Sequence, residues 1–208
     1  MPSIELLLLF FTTSILLGLA PGPDNLFVMA QSAQHGRKAG LLVTIGLCTG
    51  LLVHTSAVAF GLAAIFQASA VAFTVLKFVG AAYLLYLAWQ AFRSSASDEG
   101  AALVGGVNVR RLYVRGIIMN VTNPKVSIFF LAFLPQFTDP AQGPIAPQVL
   151  LLGGLFIVAT ILVFGSISVL AGTMGSRFRR SALAQKALNW IAGSIFAGLA
   201  VKLAISER

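Results

Sequence analysis

Cysteine is almost missing from this chain. Of its 208 residues only Cys48 is one, which rules out a disulfide within the chain, and with just two histidines there is no Cys/His cluster to hold a metal. Charge is scarce as well. Charged residues make up 10% of the sequence, against about 25% in a soluble domain, too few for an ordinary water-facing surface. Acidic residues are the rarest charge, six against fourteen Lys and Arg, for a net charge of +8. Short alternating segments are missing too: the apolar runs are too long for barrel strands. What remains is hydrophobic. Apolar residues are 58% of the chain and the mean hydropathy is +0.92. The expected class is an all-α integral membrane protein.

A spanning helix needs about 20 apolar residues, and six such runs can be read. They cover about 4–33, 40–66, 70–92, 112–137, 148–174 and 187–204. The first is interrupted at Pro21-Gly22-Pro23-Asp24-Asn25 and the fourth at Asn123-Pro124-Lys125. Residues 1–20 are apolar and end in Gly18-Leu19-Ala20, but they lack a positive n-region, so the expectation is a retained first span rather than a signal peptide. One transmembrane domain, 1–208, accounts for the length, with repeat 1 at about 4–92, a linker at about 93–111 and repeat 2 at about 112–204.

The basic residues collect in alternate loops. Arg37 and Lys38 lie between spans one and two. Arg93, Arg110 and Arg111, with Arg115 just beyond, lie between three and four, and Arg177, Arg179, Arg180 and Lys186 between five and six. The other loops carry no charge except Asp139. Basic loops face the cytoplasm, which puts both termini outside. The positive charge therefore reads as topology and not as nucleic-acid binding.

Each half opens with a proline-broken span followed at once by an ionisable residue, Asp24 in one and Lys125 in the other. Three spans per repeat is an odd number, so the second copy enters the membrane from the opposite side. Inverted repeats with broken helices at matching positions point to the binding site of a secondary transporter. Pro21, Gly22, Pro23 and Pro124 are the expected helix breaks. A restarting helix offers free N–H groups and a partial positive charge, suited to a carboxylate, and Asp24 offers a charge for an ammonium group or a proton. Together these suit an amino acid zwitterion; the plain alternative is that Asp24 only caps its own half-helix. Lys125 sits where the dipole opposes it and needs an anionic partner, with Asp24 the natural candidate; the alternative is snorkelling to the interface. Asn25, Asn120 and Asn123 complete the candidate substrate site, although Asn120 and Asn123 can equally serve freed carbonyls. His54, within the second span, is a proton relay or a hydrogen-bonded structural residue. Lys77 reads as interfacial. Gly46, Gly50, Gly61, Gly153, Gly154 and Gly165 read as close helix packing.

At these positions the sequence resembles the lysine exporter superfamily, LysE/RhtB type, in its homoserine/threonine/leucine exporter branch. The likeness is carried by Pro21-Gly22-Pro23-Asp24-Asn25, Gly36-Arg37-Lys38-Ala39-Gly40-Leu41, Gly80-Ala81-Ala82-Tyr83-Leu84, Asn123-Pro124-Lys125 and Phe133-Leu134-Pro135-Gln136-Phe137. It implies six spans in the bacterial inner membrane and efflux of amino acids driven by the proton-motive force. The expected partners are then a small amino acid, protons and the lipid bilayer, with no nucleic acid, cofactor or metal; self-association into a homo-oligomer stays open. Three other readings are weaker. A metal-cation exporter lacks ligand clusters in the spans, and a membrane enzyme lacks a nucleophile–base constellation. A scaffold would leave the broken, charged helices without a purpose.

Overall fold

The computed structural model describes residues 2–20, 22–68, 70–93 and 108–174, together with scattered positions between 186 and 205. Every regular element among them is helical. Arg177, Arg179 and Arg180 of the basic loop, most of the sixth run, the linker at 94–107, Pro21 and the Lys77 side chain lie outside the described residues.

Helix α1 (Ile4–Leu19) is capped by Ser3, whose hydroxyl accepts the Leu6 amide at 3.4 Å. It ends where the sequence runs out of amides, because residues 21 and 23 are prolines and leave the carbonyls of Leu17 and Leu19 without helical donors. Helix α2 (Pro23–His35) restarts with proline in its first turn, at 62° to α1. Gly36, at φ +82°, then joins α2 directly to α3 (Arg37–Ala68). The polar turn expected over 34–38 is thus a single left-handed residue, a conformation that costs glycine nothing.

Helix α4 (Ala70–Arg93) follows, then α5 (Val109–Thr122), capped by the Asn108 side chain. Helix α6 (Pro124–Ile128) is set at 50° to α5 and changes character as it goes: a π-helical turn over Phe129–Phe133 leads into a 3-10 turn over Leu134–Phe137. Helix α7 (Ile145–Met174) begins earlier than the apolar run, because Pro147 sits in its first turn, where no intrahelical donor is needed.

Two stretches, Arg37–Gly61 and Ile145–Thr173, are each long and apolar enough to cross a bilayer, and the two bent pairs α1–α2 and α5–α6 qualify when joined. Helix α4, at 24 residues, is about 36 Å long and exceeds the hydrocarbon thickness. This is an all-helical, multi-pass membrane protein whose first and fourth spans are broken.

Helix α3 is the central post. It packs along α5 and α7, while α2 lies against α7 and α3, α1 against α7, and the π turn against α4. Close approach depends on glycine. A Cβ on Gly116 would lie 2.5 Å from the Val43 carbonyl oxygen, and one on Gly46 would run into that of Tyr113. Buried hydroxyls give no trouble in this setting, since Ser14, Ser32, Thr44, Thr55 and Ser168 each donate to the carbonyl four residues back at 2.7–2.9 Å. On one side of the two breaks the core is aromatic. Phe10, Phe129, Phe130, Phe133, Phe137 and Phe156 form one cluster. On the other side a smaller cluster gathers Val28, Val43, Leu47 and Phe164.

Candidate functional site

The two breaks meet. Asp24 and Asn25 stand in the first turn of α2, Asn120 in the last turn of α5, Asn123 at the joint, and Lys125 at the start of α6; all five side chains are buried. The Asp24 carboxylate feels the Lys125 and His54 side chains, and the amides of Asn120 and Asn123 are close enough to act on it. Every candidate substrate residue read from the sequence therefore falls in one cluster.

The broken ends are repaired by side chains from elsewhere. Lys125 Nζ donates to the carbonyl of Leu17 at 3.1 Å and to that of Ala20 at 3.0 Å. Asn25 Nδ2 donates to the Gly18 carbonyl at 2.7 Å. Leu17 is four residues before Pro21, so its carbonyl has no backbone N–H to accept. The lysine charge thus rests against the C-terminal end of α1, where the dipole favours a cation, although it stands at the N-terminal end of α6, where the dipole opposes it. At the second break the Asn120 carbonyl is four residues before Pro124. It accepts the Asn123 amide at 3.1 Å and lies 3.2 Å from His54 Nε2.

These repairs fix which way the asparagines point. Asn25 must direct its NH2 at a carbonyl, which leaves Oδ1 toward the cluster. Asn123 must direct its oxygen at the Lys125 amide, 3.0 Å away, which leaves Nδ2. Four buried atoms in the cluster close no hydrogen bond: Asp24 Oδ1, Asn25 Oδ1, Asn120 Oδ1 and Asn123 Nδ2. Although the Asn123 amide acts on Asp24 at close range, it forms no bond of normal geometry with it. Unpaired polar atoms cost free energy in an apolar interior, and four of them gather here.

His54 lies half-buried in α3 with its ring 5.6 Å from that of Phe130. Gly50, one turn earlier, was expected to serve packing alone, yet it also borders the site: a Cβ there would stand 2.7 Å from Asn120 Oδ1. The carbonyls of Leu17, Gly18 and Ala20 escaped the sequence reading. Counting four residues back from each proline would have singled out Leu17 and Asn120. Among the described residues no group of three His, Cys, Asp or Glu side chains is placed to hold a metal ion.

Comparison with known proteins identifies the family. The family model for the LysE type translocator matches residues 15–207. A homoserine/homoserine lactone efflux protein of Salmonella typhi is 36% identical over 187 residues, 90% of each chain. An uncharacterised membrane protein of Vibrio cholerae is 32% identical over 98% of each chain. A leucine efflux protein of Enterobacter sp. (strain 638) is 29% identical over 89% of each. No solved structure matches.

Proposed function

The chain belongs to the LysE type translocator family, a family of transporters and not of enzymes, and from that premise we propose that it exports small amino acids from the cytoplasm, of the homoserine, threonine or leucine kind. The observation that carries this reading is the set of four unpartnered buried atoms at the meeting of the two breaks. Three are acceptors, on Asp24, Asn25 and Asn120, and an α-ammonium group has three N–H bonds to give. The fourth, Asn123 Nδ2, is a donor for the carboxylate, and the Lys125 charge adds attraction on that side. Asp24 with Lys125 is neutral as a pair, and so is an amino acid zwitterion. Occupation therefore leaves no net charge in the membrane interior, where net charge is costly.

Efflux by proton antiport follows if Asp24 takes up a proton when the substrate's ammonium leaves. The carboxylate would then carry either the amino acid or the proton, never both. The chain would lie in the bacterial inner membrane with both termini outside.

The test is a panel of labelled amino acids in vesicles reconstituted with the purified protein. Transport of threonine, homoserine or leucine that is accelerated by an opposed pH gradient is the expected result. No transport of any of them, under either polarity of gradient, would refute the reading. Rates unchanged when the gradient is collapsed would refute the coupling alone.

A further inference from the structure

We propose that His54 is a positioning residue and not a proton relay: its Nε2–H joins the Asn123 amide on the Asn120 carbonyl, whose usual helical donor Pro124 lacks, and in doing so holds Asn120 against Asp24. The proposal rests on the substrate site described above.

A carbonyl oxygen can only accept, so the contact between His54 Nε2 and the Asn120 carbonyl at 3.2 Å requires the proton on Nε2. A relay through Nε2 would have to surrender that proton and give up the bond, leaving the Asn120 carbonyl with the Asn123 amide alone. The ring is wedged against Phe130, and Thr55, the next residue, bonds back to Leu51 and packs into Gly153 of α7. Asp24 lies within electrostatic reach of the ring, with Lys125 beside Asp24.

The second support is reciprocity. Lys125, from the second repeat, serves the Leu17 carbonyl that Pro21 deprives in the first. His54, from the first repeat, serves the Asn120 carbonyl that Pro124 deprives in the second. Each half thus lends a side-chain N–H to the other's break, 108 residues away in one case and 66 in the other. The consequence falls on Asn120, whose side chain belongs to the same residue as the tethered carbonyl and supplies one of the three free acceptors.

The experiment exchanges His54 for Gln, Asn and Leu in the full chain. Glutamine carries its amide nitrogen three bonds beyond Cβ, as Nε2 is in histidine, but does not titrate; asparagine is one bond short. His54→Gln is expected to export threonine within about threefold of wild type with an unshifted pH profile, while His54→Asn and His54→Leu raise KM by about tenfold, the upper end for one hydrogen bond between membrane helices. If His54→Gln is as impaired as His54→Leu, or loses the pH dependence, the proposal is wrong and the relay stands. A second measurement does not depend on transport. In the His35→Gln background, 15N-histidine NMR should show the neutral His54 ring of the substrate-free protein as its Nε2–H tautomer, and a dominant Nδ1–H tautomer would overturn the proposal even if no amino acid were exported.

Discussion

Asp24 is the one buried acid among the described residues, and its surroundings decide what removing its charge would do. Breaking a buried ion pair usually destabilises, because the remaining charge has nothing to face. Here Lys125 also donates to two carbonyls at the C-terminal end of α1, which provide partial negative charge in its stead. The protein should therefore survive Asp24→Asn. The variant keeps the shape and an acceptor oxygen but loses the charge that would hold an ammonium group or a proton. We expect normal membrane insertion and loss of labelled threonine efflux from loaded cells by at least about 100-fold, in line with removing an interaction to a buried charge. Efflux at the wild-type rate would show that Asp24 only caps α2. Lys125→Met should behave differently. It leaves the Leu17 and Ala20 carbonyls bare and Asp24 unbalanced, so the folded yield should fall together with export, as size-exclusion profiles in detergent would reveal.

Among the elements, α3 and α5 cross at close range. It brings two backbones together at Gly46 and Gly116, next to a 3.0 Å hydrogen bond between Thr49 and Tyr113. Because the obstructing atoms are carbonyl oxygens, neither side can yield by changing a rotamer. Gly116→Val should lower stability by about 3 kcal/mol, the high end for overpacking, and should push Asn120, one turn further on, away from its place. Gly154→Val, on α7, meets nothing within 4 Å and should melt like wild type in a thermal shift assay; equal melting of the two variants would contradict the packing described. The helices and their two breaks were legible in the sequence because apolar run length and proline are local signals. The single-residue joint at Gly36 and the π turn over Phe129–Phe133 were not. Each depends on how α3 and α6 seat against their neighbours. The asparagines were legible as polar residues at the breaks, but which end of each amide is spent and which is left depends on a carbonyl or amide brought near only by folding. The same holds for Lys125, whose expected partner, Asp24, does lie close but whose hydrogen bonds go to carbonyls more than a hundred residues earlier.

Across the whole molecule, the exchange of side-chain donors between the two halves has the form that an inverted repeat would produce. In such a repeat a pseudo-two-fold axis in the membrane plane would bring the two broken spans together, each within reach of the other's carbonyls. That arrangement needs the halves to enter the membrane from opposite sides, and loop charge says which side each takes. By that charge, Arg37, Lys38, Arg110, Arg111 and Arg115 are expected on one side, and the loop after α6, with Asp139 as its single charge, on the other. The Asp139 loop is tied down: Gln148 accepts the Asp139 amide at 3.0 Å and donates to the carbonyls of Asp139 and Gly143 at 2.9 and 3.0 Å. It is thus a fixed surface that can be labelled without unfolding its surroundings. The positive-inside rule then makes a double prediction. Alkaline phosphatase fused after residue 208 should be active and a fluorescent protein fused there dark. The single native cysteine makes the complementary test simple: in a Cys48→Ser background, a cysteine introduced at Ala141 should react with a membrane-impermeant maleimide in intact spheroplasts, and one introduced at Lys38 should react only after permeabilisation. Labelling of both from the same side would abolish the inverted relation between the halves, and with it the reason for the two breaks to meet.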